Sequence, residues 1–256
     1  MTFSVVILGC GTSHGVPVIA CDCAVCRSDD PRNQRTRTSI IVRRDDRVLL
    51  IDTPPDLRTQ ALRNNIRRVD AVAFTHAHAD HMFGLDDIRR FNEIQGSEIT
   101  CYGHRQTLKV IREAFSYIFV RTQAGGGKPR LRLKLIEGPF EEAGLTVTPV
   151  PVYHGHVRVQ GYRIGDFAYV TDVSRIPPDS MKLLQGLDTL VLGVLRFRPH
   201  PTHFNLEQGL AMVERLRPRR AIFTHLAHDL DYAATNAILP PGVELAYDGM
   251  ELEMGG

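Results

Sequence analysis

The sequence predicts an α/β fold built from mixed sheets. Short apolar segments typical of strands alternate with amphipathic segments typical of helices, the strands outnumber the helices, and several strands follow one another directly. There is no low-complexity linker and no internal repeat with a period of about 20 to 50 residues. The 256 residues are therefore expected to form a single domain, residues 1–256, a length that can bury a sizeable core.

The N-terminal half is predicted to alternate between strands and helices. Pro54 and Pro55 favour the start of a helix, because proline is tolerated in a first helical turn. Apolar Leu85, Ile88 and Phe91 stand at helical spacing. The strands are expected at Phe3–Leu8, Thr38–Val42, Val48–Asp52 and Ala71–Thr75, and the helices at Asp56–Asn65, Leu85–Ile94 and Gln106–Phe119.

The C-terminal half is predicted to contain more strands than helices. Its last helix is expected to end before Pro240–Gly242, since proline and glycine interrupt helices. The strands are expected at Leu131–Ile136, Leu145–Val152, Gln160–Ile164, Ala168–Thr171, Thr189–Leu192, Ala221–Thr224 and Glu244–Tyr247, and the helices at Leu206–Leu216 and Tyr232–Ile238.

Composition places the chain among ordinary globular proteins. Its hydrophobic fraction is 43% and its charged fraction 23%, which argues against disorder. A formal net charge of +2 gives no indication of a nucleic-acid coat protein. The N-terminus lacks a basic leader, and no apolar stretch approaches the roughly 20 residues of a membrane span. We therefore expect a cytoplasmic protein without a membrane partner.

The strongest local motif follows the apolar segment Ala71–Thr75. It places His76, His78, Asp80 and His81 within six positions. Side chains at a strand end can converge on one point, and imidazole and carboxylate groups suit zinc, iron or manganese. A polar surface loop or a proton-relay cluster is the competing interpretation. The composition and the strand-end context favour a metal site.

The pattern His-x-His-x-Asp-His after a strand resembles the signature of the metallo-β-lactamase superfamily. That resemblance implies an αββα sandwich with a metal site at one edge of two sheets. It extends to three later strand ends, which carry His154, Asp172 and His225. Asp52 resembles the early aspartate of the superfamily, which supports the site without binding metal.

The resemblance also implies a set of ligands for two divalent ions, zinc or manganese. His76, His78 and His154 would hold one ion. Asp80, His81 and His225 would hold the other, and Asp172 would bridge the two. His156 is an alternative to His154, although His154 follows the strand directly.

Three cysteines predict a separate structural zinc. Cys21, Cys23 and Cys26 form a Cys-x-Cys-x-x-Cys cluster, and disulfides are rare in the cytosol. A structural zinc normally has four protein ligands, so one more residue is required. Our candidates for this ligand are His228 and, more weakly, Cys10 and His14.

Several of these features together resemble one subgroup of the superfamily, the phosphoribosyl 1,2-cyclic phosphate phosphodiesterases of phosphonate breakdown. They are the glycine-rich start Leu8–Pro17, the cysteine cluster, the histidine motif and the Thr224–His228 segment. The resemblance implies cleavage of a small, cyclic phosphodiester to a phosphomonoester by a metal-bridging hydroxide, which Asp80 would orient.

His203 matches a histidine that lies near the scissile phosphate in this subgroup. It would act as a general acid or stabilise charge on the phosphate. In the alternative interpretation, Asn205 or Thr202 caps the next helix and His203 is a surface residue.

Other functions on the same fold stay open. A tRNA 3′-processing endonuclease uses a similar metal core, but this chain offers only the short loop 125–130 in place of a long tRNA-binding arm. Nucleic acid is therefore a less favoured partner than a small diester, although short oligonucleotides remain candidates. A thioesterase, a lactonase and a non-catalytic protein like those of pyrroloquinoline-quinone biosynthesis are further alternatives. The resemblance implies a homodimer.

Overall fold

Two seven-stranded mixed sheets face each other across an apolar core, and helices pack against them. This computed structural model describes residues 2–121 and 127–255. The glycine-rich segment 124–129 is predicted from sequence as a flexible loop, and its residues 124–126 lie outside the described part. The arrangement confirms the predicted α/β fold and the αββα sandwich.

The first sheet has the strand order β14-β1-β2-β3-β4-β5-β6. Its pairs from β14 to β3 are antiparallel, and those from β3 to β6 are parallel. The carboxyl ends of β3 and β4 therefore lie side by side at one edge. The strands are β1 (Phe3–Gly9), β2 (Ser39–Arg44), β3 (Arg47–Ile51), β4 (Ala71–Ala73), β5 (Ile99–Gly103), β6 (Leu131–Leu135) and β14 (Met250–Met254).

The second sheet has the order β13-β12-β11-β10-β9-β8-β7. Strands β10 to β13 run parallel, so their carboxyl ends also share one edge, whereas β7 to β10 pair antiparallel. The strands are β7 (Phe140–Glu142), β8 (Leu145–His154), β9 (Val157–Ile164), β10 (Phe167–Val170), β11 (Thr189–Gly193), β12 (Arg220–Thr224) and β13 (Val243–Leu245).

The helices are short. None of those in the described residues combines the length and apolar character needed to cross a membrane. Leu57, Ile88 and Ile111 anchor the first helices against the first sheet, and Met212 anchors a later one against the second sheet. The helices are α1 (Leu57–Arg63), α2 (Ala79–Met82), α3 (Ile88–Gln95), α4 (Arg105–Ala114), α5 (Ser116–Phe119), α6 (Pro178–Leu183), α7 (Leu206–Leu216) and α8 (Tyr232–Asn236).

Strand β1 shows why its sequence forms a buried strand. Val5 and Ile7 point into the core shared with the second sheet, and Val6 and Leu8 point toward the helices. All four are almost fully buried. Burying one such side chain stabilises the fold by about 1.5–3 kcal/mol. Strand β1 is therefore apolar at each of the positions 5–8, where both of its faces are covered.

Three predicted helices differ from the observed ones. The predicted helix Leu85–Ile94 begins as a 3-10 turn and becomes α-helical only at α3, which Gly96 ends with a left-handed φ of 68°. The predicted helix Gln106–Phe119 is broken at Phe115, whose buried ring packs edge-on against Phe83. The last predicted helix, Tyr232–Ile238, ends already at Asn236.

The C-terminal strands also differ from prediction. The predicted strand Glu244–Tyr247 is shifted to Val243–Leu245, and a further strand, β14, follows it. Strand β14 pairs with β1, at the other end of the chain. Its alternating sequence Met-Glu-Leu-Glu-Met fits an edge strand with one buried face.

Candidate metal centre

Three strand ends turn polar side chains toward the edge where the two sheets meet. Asp52 follows β3, Asp172 follows β10 and His225 follows β12 within one or two residues. Their φ angles are 64°, 51° and 61°, in the left-handed region that residues other than glycine seldom adopt. Such backbone strain is concentrated at functional sites. The sharp turns let all three side chains leave their strands in the direction of the site.

One group of four potential ligands lies at the centre. The ligand atoms of Asp80, His81, Asp172 and His225 are all within 4.8 Å of one another. His81 Nε2 is 3.3 Å from Asp172 Oδ1, and His225 Nε2 is 3.2 Å from the same oxygen. Asp80 and His81 lie in the short helix α2, so this part of the motif is helical.

A second group comprises His76, His78 and Asp172. His76 Nε2 is 2.9 Å from His78 Nδ1 and 3.8 Å from Asp172 Oδ2. His154 is grouped with Asp172 and His203 instead, although its ring centroid is only 5.1 Å from that of His78. Asp172 therefore belongs to all three groups, the position that a bridging ligand would occupy.

The alternative ligand His156 lies elsewhere. It is exposed in the turn between β8 and β9, and it belongs to none of the ligand groups found in residues 2–121 and 127–255. His154 is only 8% exposed. The structure therefore brings His154, and not His156, to the other candidate ligands.

Unpaired polar atoms show that these residues fit a metal ion. Within the described parts of the chain, buried His81 Nε2 and both ring nitrogens of His225 have no hydrogen-bond partner. Buried polar atoms without partners are rare because they destabilise the fold. Imidazole nitrogens and carboxylate oxygens facing one point are a suitable donor set for zinc or manganese.

Hydrogen bonds behind the ligands fix their orientation. Asp52 accepts hydrogen bonds from the backbone N–H of Thr75 at 2.8 Å and from its hydroxyl at 2.7 Å. It also accepts one from His81 Nδ1 at 2.8 Å. His154 Nδ1 donates to the carbonyl oxygen of Thr202 at 2.8 Å. In both histidines this leaves Nε2 free to act as the ligand atom.

The charges within the site perturb its ionisable groups strongly. Burial alone would lower the pKa of His81, but the carboxylates of Asp172 and Asp52 outweigh it and raise that pKa well above its ordinary value. Burial, and then the charge of His81, lower the pKa of His76 far below its ordinary value. Burial opposes ionisation of Asp172, yet His225 and His81 hold its pKa well below the usual range. Perturbed groups of this kind cluster at functional sites.

Sequence reasoning missed the threonines that precede three site residues. Thr75 precedes His76, Thr171 precedes Asp172 and Thr224 precedes His225, and all three threonines are buried. The Thr171 hydroxyl donates to Asp172 Oδ1 at 2.8 Å. The signal was present in the sequence, as a threonine directly before a histidine or aspartate at three strand ends.

His203 lies beside the candidate ligands. Its ring centroid is 4.4 Å from that of His154 and 4.7 Å from that of His225. Burial, and then the neighbouring His225, lower the pKa of His203 to about 3. Asn205 does cap helix α7 through a capping box, but His203 is only 9% exposed. It is therefore not the surface residue of the alternative interpretation.

The cysteine cluster forms a second centre. The Sγ atoms of Cys21, Cys23 and Cys26 lie 3.2, 3.4 and 3.5 Å from Nδ1 of His228. Hydrogen bonding to the backbone N–H of Cys26 lowers the pKa of Cys23 to about 6, which favours the thiolate. All five cysteines are free thiols. Four converging sulfur and nitrogen ligands fit a structural zinc.

The two weaker candidates for the fourth ligand of the zinc lie apart from this cluster. Cys10 is fully buried, and its thiol contacts the carbonyl oxygen of Ala246. His14 is exposed. Neither belongs to a ligand group in the described residues.

Comparison with known proteins identifies the family. A family model described as a beta-lactamase superfamily domain matches residues 47–226. The chain belongs to the metallo-β-lactamase superfamily. The crystal structure of a diphosphatase from the PhnP family is similar over 99% of this chain and 98% of that one, with 43% identity and a TM-score of 0.93. Zn²⁺-bound PqqB from Methylobacterium extorquens, 22% identical over 97% of this chain and 99% of its own, shares the superfamily fold with a TM-score of 0.76.

Two curated relatives are named for activities that differ from that of the diphosphatase. An octanoyltransferase from Porphyromonas gingivalis is 38% identical over 251 residues, which are 96% of this chain and 50% of that protein. A ribonuclease Z from Oenococcus oeni is 30% identical over 175 residues, 64% of this chain and 50% of that protein. The matched region thus spans about half the length of each. The family match and the diphosphatase together support a metal-dependent hydrolase of this fold.

Proposed function

We propose that residues 1–256 form a single hydrolase unit with two active-site metal ions. Its proposed reaction is the cleavage of small phosphodiesters, cyclic ones among them, to phosphomonoesters. The observation that carries this proposal is the shared position of Asp172, whose carboxylate belongs to every ligand group at the sheet edge. A carboxylate between two sets of histidines suits a pair of divalent ions. Likeness to a diphosphatase supports a phosphorus centre as the point of attack.

The proposed ligands are divided between two zinc or manganese ions. When bound, the two ions would supply a water molecule of lowered pKa and positive charge beside the phosphate oxygens. His154 would complete the first set through its free Nε2, because its ring centroid lies 5.1 Å from that of His78 and it shares a ligand group with Asp172. One ion would be held by His76, His78 and His154, the other by Asp80, His81 and His225, with Asp172 shared, and a structural zinc would be held by Cys21, Cys23, Cys26 and His228.

The chain itself orients the reacting groups. Asp80 Oδ2 lies 3.4 Å from His81 Nε2 and 3.7 Å from His225 Nε2, so its carboxylate lies among the proposed ligands of one ion. There it would accept a hydrogen bond from the attacking water and align it. His203 is proposed to donate a hydrogen bond from its ring N–H to the leaving oxygen.

A second candidate substrate is a diphosphate. The diphosphatase of the PhnP family, 43% identical, favours this possibility, and attack at phosphorus would need the same residues. Ribonuclease Z and octanoyltransferase activities receive less support, because this chain matches only about half of the length of each of those relatives. Cytoplasmic location, a homodimer and thioesterase or lactonase activity stay as predictions from sequence alone.

The test compares two histidines on the same hairpin. The substrates are bis(p-nitrophenyl) phosphate, a 2′,3′-cyclic nucleotide, a dinucleoside diphosphate, an acyl thioester and a lactone, each with Mn²⁺ or Zn²⁺. His154→Ala is expected to abolish diester cleavage and lower the metal content. The matched control His156→Ala, two positions away and exposed, is expected to behave as the unaltered protein.

Two outcomes would overturn the proposal. Full diester cleavage by His154→Ala would show that the ligand set is wrong. Full metal occupancy with turnover of the thioester or lactone alone would keep the metal centre and refute the substrate class. Cleavage of the diphosphate without the simple diesters would select the second candidate.

A further inference from the structure

The segment His225–Leu230 connects the two candidate metal centres. His225 belongs to the group around Asp172, and His228 belongs to the cysteine cluster. Only two residues, Leu226 and Ala227, separate the two histidines. A displacement of this short segment would therefore move a ligand in each centre at once.

Backbone hydrogen bonds hold one side of this segment. The N–H of Leu226 donates to the carbonyl of Cys10 at 2.8 Å, and its own carbonyl accepts from the N–H of Thr12 at 3.1 Å. The N–H of Ala227 donates to the carbonyl of Leu195 at 2.9 Å. The carbonyls of Ala227 and Leu230 take no part in these three bonds, although Ala227 O accepts a longer one from the N–H of Leu230 at 3.3 Å.

Arg35 binds both of these carbonyls. Its Nη1 donates to Ala227 O at 3.0 Å and its Nη2 to Leu230 O at 2.6 Å. A further bond from Nη2 to Asn33 Oδ1 at 3.0 Å fixes the plane of the guanidinium group. The side chain is only 2% exposed.

The environment of Arg35 is unusual for a buried charge. Within residues 2–121 and 127–255 it forms no ion pair with a carboxylate. A buried guanidinium group without a charged partner is costly unless hydrogen bonds compensate for the lost water. Here the compensation comes from two backbone carbonyls of the segment that carries ligands of both centres, together with Asn33 Oδ1 and the carbonyl of Arg32, to which Nε donates at 3.3 Å.

We propose that Arg35 is a positioning residue that fixes the segment His225–Leu230, and so couples metal binding at the two centres. The inference rests on the metal sites of the proposed function but not on the substrate. Arg35 touches neither centre directly. It acts through the planar fork of its guanidinium group, which donates to two carbonyls three residues apart in the chain.

A lysine at this position would keep the charge but lose the fork. An ammonium group is a point donor on a flexible stem and cannot reproduce the paired geometry. Arg163→Lys is the matched control, because Arg163 also donates through its guanidinium to backbone carbonyls, those of Gly165, Leu183 and Gln185. Arg163 pairs with Ala168 near the start of β10, away from the metal edge.

The experiment measures metal affinity and not turnover. Each protein is stripped of metal and titrated with zinc against a competing chelator, and the unfolding midpoint of the stripped form is recorded. Arg35→Lys is expected to lower zinc affinity at both centres by about tenfold to a hundredfold, the range for residues that orient ligands. Arg163→Lys is expected to leave both affinities unchanged.

Other results would distinguish a failure of the inference about Arg35 from a failure of the proposed function. A lowered unfolding midpoint with unchanged zinc affinities would show that Arg35 is merely structural and overturn the inference. If Arg35→Lys does not fold, Asn33→Ala takes its place, because it removes the contact that orients the guanidinium group. A loss of zinc affinity at both centres then supports the inference, and unchanged zinc affinities overturn it. Failure of the unaltered protein to bind zinc at the Asp172 centre would instead refute the proposed function.

Discussion

Replacement of Asp52 by asparagine tests whether the site depends on the residues behind its ligands. Asp52 is fully buried and accepts three hydrogen bonds, two from Thr75 and one from His81 Nδ1. Asparagine has nearly the same size but only one acceptor oxygen. If that oxygen keeps the bond from the Thr75 backbone, the amide N–H₂ group faces His81 Nδ1–H, and two donors oppose each other.

The expected magnitude follows from this lost bond. A buried donor left without its partner destabilises the fold by about 1–3 kcal/mol. His81 can relieve the conflict by rotating, which moves Nε2 away from Asp172, or by changing tautomer, which protonates Nε2. In either case Nε2 is lost as a metal ligand. Metal affinity is therefore expected to fall about tenfold to a hundredfold, which corresponds to about 1.4–2.8 kcal/mol of binding free energy.

The assay is zinc titration against a chelator, with hydrolysis measured at saturating metal. The matched control is Asp70→Asn, whose carboxylate accepts a backbone bond from Val48 at 2.8 Å at the opposite end of the same strand pair. Asp70→Asn should change stability without changing zinc affinity. If Asp52→Asn binds zinc as tightly as the unaltered protein, the orienting role of Asp52 is wrong.

Three other predictions concern stability and metal content. Burial raises the pKa of Asp248 from 3.8 to about 6, so the folded state binds the extra proton between these values; the unfolding free energy should fall by ~2 kcal/mol as pH rises from 4 to 6, and a urea-unfolding series of Asp248→Asn should lack this component. Cys23→Ser should reduce bound zinc from about three to two ions per chain by elemental analysis, whereas buried Cys101→Ser should retain all three. Tyr162→Phe removes a buried hydroxyl that donates to the Phe74 carbonyl, and should lower the unfolding free energy by about 1–3 kcal/mol in urea titration; an unchanged midpoint would contradict that role.

Much of the site could be predicted because its residues lie at the ends of apolar strands. His76, Asp172 and His225 each follow such a strand, and parallel strands bring their carboxyl ends to a common edge. The αββα arrangement was predicted through the motif and is confirmed. The division of ligands between the two ions stays a prediction.

The remaining features depend on contacts between distant parts of the chain. Strand β14 was not predicted, because an isolated run of five alternating residues gains a partner only when β1 lies beside it. The role proposed for Arg35 could not be predicted from the sequence either, because arginine is usually exposed. Its partners are carbonyls about 190 residues away in the chain. The break at Phe115 reflects the burial of one ring, which local helix propensity does not reveal.

Each ligand group combines residues from separate stretches of the chain. His76, His78, Asp80 and His81 follow a strand of the first sheet, whereas Asp172 and His225 follow strands of the second. Bound ions would thus act as cross-links between the sheets, and ions that bind only the folded chain stabilise it by mass action. Free metal at a hundredfold excess over its dissociation constant adds about 2.7 kcal/mol per site. The lifetime of this protein in a cell would then vary with the supply of metal, because the chain without its ions would unfold more often and be open to proteolysis.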